Sequence, residues 1–315
     1  MSGMNEKNFL RDILGGYMIE LGKKDGKVVV VNADLMGTCR NRTFVQEFPE
    51  RSFNVGIAEQ NMVSFAAGLA QEGYKAYAFS MAPFISMRAC EQCRTDVAYG
   101  NRNVRLIATY SGVSGGISGA THWGMEDCAI MGSMPNMVVM EPSDPIQARQ
   151  MLDESLKHDG PIYIRSSVEP VPSIYGEDYR FEIGKASIAR DGGDGAFICS
   201  GITVKHALGA VERIYHETGK NIRVVDMHTI KPLDRKAVKE AAGTGCVVVA
   251  QDHNKMGGLG YAVAEVIAEE RMAVKFANVG IDDRFVPMAH APFLYHEFGY
   301  DEEGLYNRMM SLLGM

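Results

Sequence analysis

Cysteine is scarce in this sequence, which contains six cysteines among 315 residues. This content is far too low for a disulfide scaffold and predicts reduced thiols, as in the cytoplasm. No apolar run reaches the ~18–20 residues that a membrane-spanning helix requires, and residues 1–11 lack the apolar core of a secretory signal. We therefore expect a cytoplasmic protein that does not enter a membrane.

Basic residues are fewer than acidic ones. The sequence has 32 lysines and arginines and 39 aspartates and glutamates, which gives a net charge of −7. Without a basic stripe, the chain is a poor candidate for binding nucleic acid or an anionic membrane surface. The hydrophobic fraction of 46% supports a buried core, and the length suits two domains better than one.

Cys90 and Cys93 form a C-x-x-C motif. A zinc site would require a second pair of ligands at a suitable spacing, and the sequence offers none. A redox motif would require a thioredoxin-like context, which is also missing. The pair therefore predicts two thiols on a packed helix.

Strand-like and helix-like patterns alternate along the chain. Residues 28–32 form a continuous apolar run, which is typical of a strand covered on both faces. The alternation predicts an α/β fold with two doubly wound domains, each built on a mostly parallel sheet. A proline-rich break predicts a linker over 168–183, between a first domain of residues 1–167 and a smaller second domain of residues 184–315.

Two residues stand out as candidates for chemistry. Glu59 lies in the first turn of a predicted helix, where the helix dipole alone can account for a carboxylate. His122 follows a loop of residues 110–121 that contains four glycines, and a histidine at the end of such a loop often lines a site. Taken alone, each residue is also compatible with a purely structural role.

Residues 51–70, RSFNVGIAEQNMVSFAAGLA, resemble the pyrimidine-binding domain of transketolases, which depend on thiamine diphosphate. The resemblance continues in the family's order and covers nearly the whole chain. The further matching segments are NADL at 32–35, Phe84 with Arg88 and EQCR at 91–94, GATH at 119–122, MPNM at 134–137, and, for the C-terminal domain of the family, VDMHTIKPLD at 225–234 and GGLG at 257–260.

The resemblance also implies a partner. Full-length transketolases carry a large N-terminal domain that holds the diphosphate and a metal, Mg²⁺ or Ca²⁺, and this sequence has no counterpart of it. The chain therefore resembles the C-terminal subunit of a split transketolase, in which two different chains form an α₂β₂ heterotetramer. This chain is then expected to supply the pyrimidine half of the cofactor site and no metal ligand.

The resemblance assigns roles to individual residues. Glu59 matches the glutamate that hydrogen-bonds N1′ of the aminopyrimidine, which requires a partly desolvated carboxyl because burial favours its protonated form. Phe84 matches the aromatic residue that packs on the pyrimidine face, with Met81 and Met87 at positions that are often aromatic in the family. Further matches are the cofactor-proximal residues Asp34 and Ile57 and the substrate-contacting His122.

The sugar-phosphate pocket departs from the family. Arg11 and Thr38 match two phosphate-contacting positions, but Tyr110 replaces a usual histidine, Val168 replaces an arginine, and Ser118 replaces an aspartate that reads a hydroxyl. The loss of one arginine–phosphate pair removes about 1.5–3 kcal/mol. We therefore expect an unusual substrate, such as a branched or sulfonated sugar.

Arg165 lies close to Val168 in the sequence and could supply the charge that the pocket lacks. The alternative is a structural arginine at the end of a strand, and the sequence leaves both interpretations open.

Gly193-Asp194-Gly195 followed by Asn221 has the spacing of a diphosphate-binding signature. Its context differs, because two short apolar runs flank the glycine cluster and predict a hairpin. We therefore expect no metal site there.

Two other functions remain open at this point. The β subunit of a 2-oxoacid dehydrogenase has the same two domains and the same cofactor, although the GIAE and GATH segments favour transketolase. The third possibility is a non-catalytic regulatory subunit of the same fold. The altered sugar pocket is compatible with it, but the matches at Glu59, Phe84 and His122 argue against it.

Overall fold

Strands and helices alternate throughout residues 8–315, which the computed structural model of the protein describes; the charged stretch of residues 1–7 lies outside them. The strands are β1 (Asn8–Phe9), β2 (Val28–Asn32), β3 (Ser52–Asn54), β4 (Lys75–Met81), β5 (Val104–Thr109), β6 (Val138–Met140), β7 (Ile162–Ser166), β8 (Pro170–Val171), β9 (Ser187–Arg190), β10 (Ala196–Cys199), β11 (Arg223–Asp226), β12 (Thr229–Lys231), β13 (Cys246–Asn254) and β14 (Lys275–Ile281).

The helices cover both faces of the sheets that these strands form. They are α1 (Leu10–Gly16), α2 (Met18–Lys24), α3 (Arg42–Glu47), α4 (Glu59–Gln71), the irregular α5 (Phe84–Arg88, Cys90–Gln92 and Cys93–Ala98), α6 (Asp127–Gly132), α7 (Pro145–Lys157), α8 (Ile202–Thr218), α9 (Arg235–Ala242), α10 (Leu259–Glu269), α11 (Ala291–Glu297) and α12 (Glu302–Leu313). None of the described helices is long and apolar enough to cross a bilayer.

The first sheet has seven strands in the order β12-β6-β7-β5-β4-β2-β3. Its strands run parallel except for β12, which pairs antiparallel with β6. Strands β2, β5 and β7 are buried along their whole length, as their apolar runs predict. Because β12 belongs to the second half of the sequence, the two halves of the chain share one sheet.

The second sheet has five strands in the order β14-β13-β10-β11-β9. Three pairs are parallel, and the edge strand β9 runs antiparallel to β11. This arrangement confirms the α/β class with a large and a smaller sheet. The predicted hairpin of β9 and β10 is wrong, because β11 lies between these two strands; local apolar runs do not reveal which strands become neighbours.

The stretch 168–183, predicted to be a linker, is held closely to the rest of the chain. Its strand β8 pairs with β1, where Asn8 opposes Val171. The rings of Tyr175 and Tyr179 stack at 4.2 Å, and the Tyr175 hydroxyl donates to buried Asp226 at 2.8 Å. This segment is therefore tied to both halves of the molecule.

Arg165, at the end of β7, is fully buried in a polar network that joins the two halves. Its guanidinium binds Asp127 at 2.9 Å and Glu141 at 3.0 Å, and it also donates to the carbonyl oxygens of Gly124 and Asp252. Because the guanidinium is held by these contacts, the side chain cannot extend toward a substrate. The structure thus fits the structural alternative for Arg165 and not the expected sugar contact.

We expect Arg165→Met to be strongly destabilising. The variant leaves the carboxylates of Asp127 and Glu141 buried without their cation, which costs about 3–5 kcal/mol. Urea titration followed by circular dichroism measures the free energy of unfolding. Arg149→Met, a change of the same kind on the exposed surface of α7, is the control and should shift it by less than about 0.5 kcal/mol. Equal stability of both variants would contradict the role of this network.

We also expect a pH dependence of stability that arises from His253. Burial lowers the pKa of this imidazole to about 4, and its Nε2 accepts a hydrogen bond from the Cys128 backbone. The unfolded chain therefore binds a proton near pH 6.5 that the folded chain does not bind, so stability is lost as pH falls from about 6.5 to 4.

His253→Gln isolates this contribution, because glutamine cannot take up the proton. The stability advantage of the wild type over the variant should shrink as pH falls from about 7 to 4 in urea titrations. Buried Asp252, whose pKa burial raises to about 7, acts in the opposite direction and is common to both proteins. A wild-type advantage that is constant with pH would refute the prediction.

Candidate functional site

The candidate residues gather at the carboxyl ends of the parallel strands in the first sheet. Asp34 follows β2, Glu59 follows β3, Phe84 follows β4, and the loop that ends at His122 follows β5. The chain leaves β2 toward β3 on one side and returns to β4 on the other, which creates a topological switch point. Open α/β sheets bind ligands in the crevice at such a point.

Glu59 is the first residue of α4, and its carboxyl is almost completely buried, with 2% of the residue exposed. The helix dipole stabilises negative charge there. Its Oε2 accepts a hydrogen bond at 2.7 Å from Nη1 of Arg88 on α5. Two residues before Glu59, the apolar side chain of Ile57 is 78% exposed. The site thus combines a buried carboxyl with an uncovered apolar surface.

Phe84 lies beside both Arg88 and His122. The Arg88 guanidinium carbon lies 4.3 Å from the centroid of the Phe84 ring, and the His122 ring meets the same ring edge to face at 5.5 Å. Thr121 Oγ1 and His122 Nδ1 lie 2.8 Å apart, which orients the imidazole. Arg88, a residue to which the sequence assigned no role, therefore links Glu59 to Phe84, and Phe84 in turn contacts His122.

Asp34 adopts a left-handed backbone conformation with φ of 60° at the end of β2. The Asn54 side chain holds this turn, because it accepts from the Asp34 backbone at 3.0 Å and donates to the Asp34 carboxylate at 3.3 Å. The sequence did not single out Asn54. The sequence signal that could have identified it is its place within the family-like segment 51–70, five residues before Glu59. Its closeness to Asp34 arises from the pairing of β2 with β3, which only the fold shows.

Of the expected sugar-binding residues, Arg11 and Tyr110 are in contact. Nη1 of Arg11 donates to the Tyr110 hydroxyl at 3.4 Å, and 14% of the Arg11 side chain is exposed. Thr38 is half-buried in the turn after β2, and Ser118 is exposed on the glycine-rich loop. No hydrogen bond among the described residues connects these two side chains to Arg11.

Asp194, in the Gly-Asp-Gly segment, lies in a turn before β10. Its carboxylate accepts from Lys220 at 3.1 Å and from the Asn221 backbone at 2.8 Å, and these contacts lower its pKa. The segment thus ties two loops together.

Asp127, Cys128 and His253 form the one group within residues 8–315 whose donor atoms lie close enough to hold a metal. All three residues are buried. Asp127 is bound by Arg165 and by Tyr163, and His253 Nε2 is bound by a backbone N–H. This group therefore belongs to the network around Arg165.

Cys90 and Cys93 both lie on α5, where Cys93 is fully buried and donates to the Ile85 carbonyl. Burial raises the pKa of the Cys93 thiol. A thiol that resists ionisation is a poor nucleophile and a poor metal ligand.

Family models match two parts of the chain. The transketolase pyrimidine-binding domain matches residues 7–172, and the transketolase C-terminal domain matches residues 184–305. The first match includes all the side chains that surround Glu59 in the crevice. These matches confirm the resemblance that the sequence motifs indicated.

Individual relatives are similar over almost their whole length. A Methanocaldococcus jannaschii protein named as a putative transketolase C-terminal section is 42% identical over 96% of this chain and 95% of its own. A 6-deoxy-6-sulfo-D-fructose transketolase subunit from Clostridium sp. (strain MSTE9) is 39% identical over 93% of this chain and 91% of its own.

A solved structure titled split gene transketolase, inactive beta4 tetramer, superposes with a TM-score of 0.87 at 35% identity. The superposition covers 98% of this chain and 99% of the other. The family matches, the relatives and the strand-end crevice agree, and the chain therefore belongs to the transketolase family.

Proposed function

We propose that this chain is the pyrimidine-binding subunit of a two-chain transketolase, which transfers a two-carbon ketol unit from a ketose to an aldose through thiamine diphosphate. The observation that carries the proposal is the buried carboxyl of Glu59, which Arg88 connects to the Phe84 ring in the crevice at the switch point of the sheet. A separate N-terminal subunit would hold the diphosphate and Mg²⁺ or Ca²⁺. A reducing compartment such as the cytoplasm suits the six free thiols.

The residues fit an aminopyrimidine. A carboxyl group can hydrogen-bond a ring nitrogen, an aromatic side chain can pack on the ring face, and an exposed aliphatic side chain can contact its edge. Glu59, Phe84 and Ile57 offer these three groups within one crevice. When bound, the cofactor supplies the carbanion chemistry by which the two-carbon unit is carried.

Glu59 would control the proton at N1′ of the aminopyrimidine. Because the carboxyl is shielded from water, a hydrogen bond to the ring replaces the solvation that it lacks. The position at the first turn of α4 fixes the direction of the side chain, so the hydrogen bond requires no further ordering of the backbone.

His122 would contact the hydroxyl or carbonyl groups of the sugar. Its ring already has one edge against Phe84, and its Nδ1 is held by Thr121, which leaves Nε2 for a substrate oxygen. A positioned imidazole can donate to an oxygen or accept from a hydroxyl near neutral pH.

Arg11, with Tyr110 and Thr38, would bind the anionic end of the sugar. One guanidinium assisted by hydroxyl groups suits a terminal anion of low charge, and a relative named for a sulfonated ketose fits the same interpretation. Ser118 lies on the loop that ends at His122 and would contact the sugar's hydroxyls. The proposal therefore favours an unusual, sulfonated or branched sugar.

Two domains would divide this work. We propose a pyrimidine-binding domain over 1–167, a linker over 168–183 and a C-terminal domain over 184–315. The C-terminal domain would support the assembly of an α₂β₂ heterotetramer, in which this chain alone has no turnover because each cofactor site is shared between chains.

We expect Glu59→Gln to lower kcat by about 10²-fold to 10⁴-fold in the enzyme reconstituted with its N-terminal subunit, because an amide cannot transfer a proton. The measurement is ketol transfer between ketose donors and an aldose acceptor, beside 2-oxoacid and lipoamide as the rival substrates. Glu72→Gln, at the other end of α4, is the control and should leave kcat unchanged.

Wild-type turnover in Glu59→Gln would leave a regulatory subunit as the better interpretation. Turnover of the 2-oxoacid in place of the ketose would identify the chain as the β subunit of a 2-oxoacid dehydrogenase.

We expect Arg11→Met to raise KM about tenfold to hundredfold for a ketose with a terminal sulfonate or phosphate, and to leave KM for a neutral ketose unchanged. The change removes a charge-assisted hydrogen bond worth about 1.5–3 kcal/mol. Arg40→Met is the control, because Arg40 is an exposed arginine that forms an ion pair with Asp12, as Arg11 does. Equal KM changes for charged and neutral sugars would exclude an anion-binding role for Arg11.

A further inference from the structure

Arg88 is the one cation within residues 8–315 that forms an ion pair with Glu59. Its Nη1 donates to Glu59 Oε2 at 2.7 Å, and its guanidinium carbon lies 4.3 Å from the centre of the Phe84 ring. The same guanidinium therefore covers the two groups that the proposed function assigns to the pyrimidine. A ring that packs on this face of Phe84 and bonds to Glu59 would meet Arg88 at both places.

The two partners of Glu59 also demand different charge states. A guanidinium stabilises an ionised carboxylate, which can only accept hydrogen bonds. An unprotonated ring nitrogen is likewise an acceptor, so it requires the protonated carboxyl as its donor. A protonated carboxyl can still accept from a guanidinium, but more weakly than a carboxylate does. A hydrogen bond from Glu59 to the pyrimidine nitrogen therefore weakens its bond to Arg88, and the two partners compete.

Arg88 is free to leave, whereas Glu59 is not. The Arg88 side chain is 48% exposed, so its charge can stay hydrated when it turns outward. Glu59 is fixed in the first turn of α4 and shielded from water. Arg88 lies in a wide turn of α5, in which the Ala89 N–H bonds to the Phe84 carbonyl, and such turns are frequent at functional sites.

We propose that Arg88 is an internal competitor of the cofactor: it holds Glu59 as a carboxylate and covers Phe84 until an aminopyrimidine displaces it. In this exchange Arg88 keeps its charge, and Glu59 takes up one proton from solvent. The inference rests on the proposed function, because it assumes that the pyrimidine binds between Glu59 and Phe84. It makes Arg88 a positioning residue that tunes when the carboxyl becomes available.

The test is a titration of thiamine diphosphate into this chain assembled with its N-terminal subunit, measured by isothermal titration calorimetry. Arg88→Met removes the guanidinium and keeps an apolar stem, and we expect it to bind about threefold to tenfold more tightly than the wild type. Arg94→Met, an exposed arginine on the same helix, is the matched control and should bind like the wild type. Thermal melting confirms that both variants are folded.

The Glu59→Gln background separates this competition from a general change in the pocket. An amide carries no charge for Arg88 to hold, so Arg88→Met should tighten binding less in this background than in the otherwise wild-type chain. An equal gain in both backgrounds would contradict a competition for the carboxyl.

The outcomes distinguish this inference from the proposed function. Equal or weaker binding by Arg88→Met, with binding still dependent on Glu59, overturns the competition and leaves the pyrimidine site intact. Binding that is indifferent to Glu59 in every variant, or no binding by any variant, contradicts the placement of the pyrimidine and the inference with it.

Discussion

A buried guanidinium, that of Arg165, lies at the centre of the polar network where the two halves of the molecule meet. It neutralises Asp127 and Glu141, which lie in the first half of the chain, and it binds the carbonyl of Asp252 in the second half. A buried ion pair adds little net stability over an apolar substitute, but it is very costly to break. The ion pairs themselves lie within the first half, but the Asp252 carbonyl and the Ser200 hydroxyl, which donates to Glu141, complete the network from the second half. Another placement of the second sheet would remove these two partners from buried charges, so the network favours the observed arrangement.

The same network reaches the candidate site. Arg165 also donates to the carbonyl of Gly124, two residues after His122, and so anchors the end of the glycine-rich loop. Trp123, between these residues, is buried and donates to the Gly116 carbonyl across the loop. The loop is thus fixed at its base and closed on itself. These contacts give the imidazole of His122 a defined position beside the aromatic ring of the crevice, despite the four glycines that precede it.

The fold class could be predicted because it depends on local pattern, such as the apolar run of β2. The pairing of strands could not, because Thr229 of β12 meets Met140 of β6 only in the folded chain. The roles of side chains could likewise be predicted only in part. The family motifs drew attention to Glu59, but they could not show that Arg88 reaches it or that Arg165 is enclosed by carboxylates. Whether a charged side chain binds substrate or stabilises the fold depends on its burial and on its partners. A sequence motif shows neither of these.

The surface around the crevice supports the proposal of a second chain. Ile57, close to Glu59, is 78% exposed, and Ile117, on the loop that leads to His122, is 62% exposed. Large apolar side chains at the mouth of a polar site are typical of surfaces that a partner covers. A partner that covers them would also exclude water from the crevice. Exclusion of water strengthens both the attraction between Arg88 and Glu59 and the hydrogen bond that the cofactor would make. Assembly would therefore strengthen both of the interactions that compete for the Glu59 carboxyl, and it would not by itself favour either one.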